Sequence, residues 1–295
     1  MSDEKAGKGA AASSQGAVAI VCGSGGFPTS VAAEATARGQ SILLVGLKGI
    51  AGPEIEAFPH EWVHLGEMGG LFKLLETRNI KRIAFVGALK RPDLSDLRLD
   101  WGAVKRLPDI ARAFKGGDDH ILKGILRLFE AEGLEVVGVD ALAPALLVDG
   151  GLLVGTAPDA QALGDIQFGF SVLTAMAPFD TGQAAVIANN RVIAIEAAEG
   201  TDAMLERVAA LRASGRWKVK GRAGVLVKIP KKGQDLRVDL PAIGPTTLQG
   251  CVKAGLVGVG VAAGRVLVLD REQTLVFARQ NNLFIQGIAQ ESSDS

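Results

Sequence analysis

This sequence predicts an α/β protein of two domains: an N-terminal Rossmann-like parallel-sheet domain followed by a C-terminal mixed α+β domain. Three observations carry that expectation. The first half alternates short, continuous apolar runs with helix-length segments, as strands buried on both faces and joined by crossover helices do. The second half breaks this rhythm with paired apolar runs around turn residues. The length of 295 residues suits two domains at roughly 100–200 residues each.

In the first half, strands are expected at 17–23, 41–47, 62–65, 82–89 and 135–140. Helices are expected at 29–39, 68–79 and 118–133. In the last of these Ile121, Leu122, Ile125, Leu128 and Phe129 recur at helical spacing, and Gly133 supplies a stop. Asp149-Gly150-Gly151 is turn chemistry and marks the boundary between domains 17–150 and 151–289. Beyond it, 159–176 reads as a helix. Residues 183–196 read as a hairpin around Asn189-Asn190, because asparagine tolerates positive φ. An amphipathic helix at 201–215, capped by Thr201 or Asp202, comes next. Then follow a strand at 224–230, a helix near 246–255, a second hairpin at 258–270 and a helix at 271–282. Residues 1–16 and 290–295 are polar and small, and read as a disordered leader and tail.

Composition narrows the function. Hydrophobic residues make up 48% and charged residues 22%, which excludes global disorder. Lys plus Arg equals Asp plus Glu at 32 each, which argues against a nucleic-acid partner held by bulk charge. Cys22 and Cys251 are the only cysteines, so no disulfide scaffold or cysteine-paired zinc site is expected, and a reducing compartment fits. No run of 18 apolar residues and no apolar leader occurs, so the expected location is cytoplasmic.

The first strand enters Gly23-Ser24-Gly25-Gly26-Phe27-Pro28 and then a helix, so backbone N–H groups can approach a phosphate. Pro28 replaces the third glycine of a dinucleotide fingerprint, and no acid closes the second strand. A nucleotide fits better than NAD, and a tight turn without ligand fits equally. Lys90 and Arg91 sit at the end of another parallel strand, where cations meet a diphosphate or simply face water. Asp118 and Asp119, with His120, open a helix, as caps or as a polar contact or metal-facing group.

The second half is denser. Asp180-Thr181-Gly182-Gln183 precedes the first hairpin. The returning strand runs into Glu196-Ala-Ala-Glu199-Gly200-Thr201-Asp202, three carboxylates that suit a nearby cation or basic ligand. Lys228 leads into Gly233-Gln234-Asp235-Leu236-Arg237-Val238-Asp239. In an extended segment Asp235, Arg237 and Asp239 project to one side, where two carboxylates and an Arg can hold Mg²⁺ and a phosphate together. A salt-bridged edge strand has the same pattern.

In this order the motifs resemble the UDP-2,3-diacylglucosamine pyrophosphatases of lipid A biosynthesis, the type unrelated to calcineurin-like phosphoesterases. The resemblance covers about residues 17–288; EAAEGTD and GQDLRVDLPAIGP are its specific parts. It implies a Mg²⁺-dependent hydrolase yielding UMP and 2,3-diacylglucosamine 1-phosphate (lipid X), with substrate between two domains and attack on the sugar-side phosphorus. With three His, the chain lacks the ligands of the calcineurin-like type. Ser24 interrupts the glycine run usual in the family. Asp235, Asp239 and Arg237 are the expected catalytic residues, the two aspartates as metal ligands or water-orienting bases. Gly23, Gly25, Gly26, Lys90, Arg91, Asp118, Asp119, Gln183, Glu196, Glu199, Gly200, Thr201, Asp202, Lys228 and Gln234 are the expected substrate contacts. Transient contact with the inner-membrane surface and a homodimer are further expectations; a non-catalytic nucleotide-sugar-binding protein is the alternative.

Overall fold

β1 (Val18–Cys22) is buried along its whole length and lies inside a five-stranded parallel sheet. Its companions are β2 (Ile42–Leu47), β3 (His60–Val63), β4 (Arg82–Val86) and β5 (Glu135–Val136), in the order β3-β2-β1-β4-β5. The computed structural model describes residues 16–88, 100, 118–179, 181–231 and 233–289. They divide into two compact units, one within Met1–Arg112 and Gly124–Val137, the other within Ala113–Lys123 and Gly138–Ser295.

In the first unit α1 (Phe27–Ala37) links β1 to β2, and α2 (Met68–Thr77) links β3 to β4. α3 (Asp118–Ala131) precedes β5. The chain winds outward from β1 through β2 and β3, then returns to the other side of β1 with β4. The strand order therefore reverses between β1 and β4, the place where sheets of this kind bind ligands. Ile20, Leu44 and Ile83 are fully buried, as central parallel strands require. Phe129 of α3 packs its ring 5.1 Å from Phe72 and 5.0 Å from Phe85, tying the helix to the sheet. The expected strand at 135–140 ends at Val136, and Val139–Leu142 forms a helical turn instead.

The second unit is built on a six-stranded mixed sheet. Its strands are β6 (Gly151–Val154), β7 (Ala184–Ala188), β8 (Arg191–Ile195), β9 (Val225–Lys228), β11 (Gly258–Ala262) and β13 (Phe284–Ile288), in the order β6-β13-β11-β9-β7-β8. β9, β11 and β13 are parallel; β7 and β6 run antiparallel to their neighbours. α4 (Ala160–Met176) packs on β7 and β9. α5 (Gly200–Ala213), α6 (Pro245–Lys253) and α7 (Arg271–Gln280) pack in series. The parallel-sheet first half and the mixed second half agree with the expected fold class.

The hairpin at Asn189-Asn190 is present, with φ of 53° and 55° at the two asparagines. The hairpin expected at 258–270 is not. Residues 262–265 do turn, with Arg265 N–H donating to Ala262 O at 3.2 Å. The outgoing strand β12 (Leu267–Val268) then pairs in parallel with β10 (Ala242–Ile243) rather than folding back on β11. β11 already has β9 and β13 on its two edges, so no edge is left for it.

Candidate active site

The glycine loop stands at the end of β1 beside β4. Ser24 N–H donates to Ala88 O at 2.8 Å and its hydroxyl donates to the same oxygen at 3.0 Å. A Cβ on Gly23 would lie 2.6 Å from Ala88 O and 2.8 Å from Gly87 C, so only glycine allows this approach. Gly25 has φ of +89°, where glycine is unstrained. Gly26 is the N-cap of α1, without a side-chain cap. The loop is thus clipped at Gly23 and Ser24 and open at Gly25 and Gly26, with the N–H groups of the first turn of α1 beyond.

In the second unit, Lys228 ends β9 and is buried. Its ammonium donates to Thr201 Oγ1 at 3.0 Å and to the carbonyl of Ala242 at 2.9 Å. Burial pulls its pKa below the ordinary lysine value; the charges of Glu196, Asp202 and Asp239 oppose that shift. These residues come from separate elements. Glu196 follows β8, Thr201 and Asp202 lie in the first turn of α5, and Ala242 begins β10. The pairing of Ala184 with Lys228 and of Ala185 with Ile195 brings the three strand ends together. Gln183 N–H donates to Glu196 Oε2 at 3.1 Å, and Gly182 leaves no room for a Cβ against the Glu196 side chain.

Glu199 and Gly200 shape the entry to α5. Gly200 has φ of +81°. Glu199 is held below the usual carboxylate range, first by a hydrogen bond from its own backbone N–H and then by Arg207, whose guanidinium lies 2.6 Å away. Arg207 also donates to Ile195 O at 3.0 Å, joining β8 to α5. Nothing in the sequence reading singled out Arg207; the only signal was its position eight residues after Glu199, two helical turns on.

Residues 235–239 form a turn rather than the expected extended strand. Val238 and Asp239 N–H groups both donate to Asp235 O, at 3.2 and 3.1 Å. Alternate residues therefore do not share a face. Asp235 Oδ1 accepts from Arg237 N at 3.1 Å and from its Nε at 2.9 Å, while Oδ2 accepts from Nη2 at 2.7 Å. That grip, led by the guanidinium hydrogen bond, depresses the pKa of Asp235. The charge of Asp239 acts on Lys228 instead. Gln234 Oε1 accepts from Lys231 N at 2.9 Å, which leaves its Nε2 buried with no partner among the described residues. A buried orphan donor at such a place is a ready ligand contact.

Lys90, Arg91 and Asp180 lie outside the described residues, as do the side chains of Asp118 and Asp119 at the start of α3. The structure brings Gln183, Glu196, Thr201, Asp202, Lys228 and Asp239 together, with Glu199, Gly200, Gln234, Asp235 and Arg237 on the adjoining turns. Gly23, Gly25 and Gly26 belong to the other unit.

The signature of the LpxI N-terminal domain matches residues 17–146, and that of the LpxI C-terminal domain matches residues 149–286. The chain belongs to the LpxI family. It is similar to the UDP-2,3-diacylglucosamine pyrophosphatase LpxI of Caulobacter vibrioides, at 37% identity over 269 residues, covering 91% of this chain and 96% of that relative.

Does this LpxI-family site suit a divalent ion? The charges of Glu196, Asp202 and Asp239 all act on Lys228. Among the described residues no three His, Cys, Asp or Glu side chains converge to enclose an ion alone. Mg²⁺ asks for less, one or two carboxylates plus substrate phosphate oxygens. Asp239 meets that requirement. Asp235 has both oxygens committed to Arg237.

Proposed function

We propose that this chain hydrolyses the diphosphate of UDP-2,3-diacylglucosamine to UMP and 2,3-diacylglucosamine 1-phosphate (lipid X), a step of lipid A biosynthesis. Family membership and the name of the Caulobacter relative support the substrate. The observation that carries the chemistry is buried Lys228, bonded to Thr201 and acted on by the charges of Glu196, Asp202 and Asp239. A diphosphate ester is cleaved by neutralising its oxygens and aligning a water, and this cluster has groups for both.

Lys228 has two of its three N–H bonds fixed by Thr201 and Ala242, which aims the third at a phosphate oxygen. Arg237, gripped by Asp235, brings a fixed positive charge to the turn that would face the phosphates. Gln234 Nε2 finds its partner in the substrate. Asp239 is the residue that would hold Mg²⁺, and the ion would supply Lewis acidity to the diphosphate. The charges of Glu196 and Asp202 oppose the fall in the Lys228 pKa that burial causes. The open Gly25 and Gly26 backbone, with Lys90 and Arg91, binds the nucleotide.

The substrate is an amphiphile, and among the described residues no helix is long and apolar enough to cross a membrane. On this reading the enzyme works from the cytoplasm and meets the inner face of the inner membrane transiently, where a diacylated substrate would reside. The test is Mg²⁺-dependent release of UMP by the purified protein from UDP-2,3-diacylglucosamine in detergent micelles. Stoichiometric UMP and lipid X are expected. Tight binding of intact substrate without cleavage would leave a nucleotide-sugar-binding protein and end the enzymatic reading.

A further inference from the structure

Residues 207–234 contain nine Lys and Arg and no acid, so the rest of this formally neutral chain carries a net −9. Part of that run is spent on the site: Arg207 pairs with Glu199, and Lys228 is buried. The loop that follows α5 is different. Arg216, Lys218, Lys220 and Arg222 are all exposed there. Between the first three, Trp217 and Val219 turn inward onto the core.

Two arginines fix this loop. Arg212 donates to Gly255 O at 3.1 Å and to Gly221 O, and lies 5.4 Å above the Trp217 ring. Arg222 donates to Leu256 O at 2.7 Å and to Asn281 O. Their partners are neutral carbonyls, so the loop is held without loss of its charge. Among the described residues no carboxylate pairs with Arg212, Arg216, Lys218, Lys220 or Arg222. A shallow pocket of about 440 Å³, lined by Arg212, Gly215, Trp217, Lys218, Val219 and Lys220, opens among them.

We propose that this loop docks the protein on an anionic lipid bilayer, with the pocket receiving a phosphate headgroup. The choice of a lipid surface rests on the reading of the substrate as a diacylated lipid. The loop itself argues against nucleic acid, because its one aromatic ring is buried under Arg212 and offers no face for base stacking. The surface is a tether rather than part of the catalytic site. Thr201 and the loop lie at opposite ends of α5, whose 14 residues span roughly 20 Å. Docking concentrates the enzyme where its substrate is, and the contact weakens as salt screens it.

The test is co-sedimentation of the full chain with phosphatidylglycerol/phosphatidylcholine vesicles and with pure phosphatidylcholine vesicles. The variants are Arg216→Glu/Lys218→Glu/Lys220→Glu and the milder Lys218→Gln/Lys220→Gln; both leave the clamping Arg212 and Arg222 intact. Each cation at an anionic surface adds roughly fivefold, so the triple variant is expected to lose about a hundredfold or more in partitioning and the double variant about 25-fold. Their melting temperatures and their hydrolysis of micellar substrate are expected to match the parent. Equal binding of parent and both variants overturns the proposal, as does a parent that does not distinguish anionic from neutral vesicles. Tighter binding of the parent to a short DNA duplex than to anionic vesicles at the same salt, lost in the same variants, would assign the loop to nucleic acid instead. A parent that binds vesicles but never releases UMP upholds the docking surface and overturns the enzymatic reading alone.

Discussion

Asp235 and Asp239, four residues apart, have different surroundings and therefore different expected phenotypes. The charge of Asp239 acts on Lys228, so Asp239→Ala is expected to lower kcat and kcat/KM together, by about 10²–10³-fold. Asp235 acts through Arg237. Asp235→Ala and Arg237→Ala are each expected to raise KM as well as lower kcat, and the double variant to be little worse than either single one. Single-turnover hydrolysis with parallel binding measurements decides this; fully additive losses would show that the pair does not act as a unit. The two thiols offer a contrast. Burial pushes both Cys22 and Cys251 up to about 12. At pH 8 roughly one thiol in ten thousand is then ionised, so iodoacetamide is expected to label neither in the native protein and both in denaturant. Native labelling with loss of activity would place a reactive thiol at the site.

At the scale of elements, the β7–β8 turn shows what the sequence makes readable and what it conceals. Asn189-Asn190 announced the hairpin, because the turn is a local demand on φ. The group that holds it was silent. Asp165, buried in α4, accepts from Asn189 N at 3.0 Å and Asn190 N at 2.7 Å. Asp165→Ala leaves both donors unpaired and is expected to cost about 1–3 kcal/mol in denaturant unfolding, with turnover per folded molecule unchanged. The 258–270 segment has the same apolar–turn–apolar pattern, yet its second strand joins β10, since the pairing partner of a strand is a property of the whole sheet. Likewise Glu196, Thr201, Asp202, Lys228 and Asp239 each carried a polar signal, but their meeting depends on strand register that no local pattern encodes. The reading of 235–240 as extended failed because two backbone bonds to Asp235 O close a turn there. The glycine loop was legible for a local reason, and Gly23→Ala, by forcing Gly87 and Ala88 away, is expected to weaken UMP binding more than it lowers kcat. A fall in kcat at unchanged nucleotide affinity would remove the loop from the binding site.

Across the whole molecule, the proposed Mg²⁺ would belong either to the fold or only to the reaction. An ion that stabilises a fold sits in a cage of protein ligands, and unfolding then releases it. Among the described residues no group of three acidic, His or Cys side chains forms such a cage. Each unit closes around its own apolar sheet, with Ile20, Leu44 and Ile83 in the first and Leu226, Ile187 and Leu205 in the second. On the proposed reading, the carboxylates near Lys228 would hold an ion only weakly until substrate phosphates added their oxygens. Chelation with EDTA is therefore expected to abolish UMP release while leaving the melting temperature of the substrate-free protein unchanged. Mg²⁺ added back is expected to restore turnover, and to raise the melting temperature only when a non-hydrolysed substrate analogue is present. Calorimetry with and without chelator, run beside the hydrolysis assay, separates the cases. A drop in melting temperature on chelation alone would mean a structural ion. Full turnover after exhaustive chelation would move the catalysis onto Lys228, Arg237 and the carboxylates themselves.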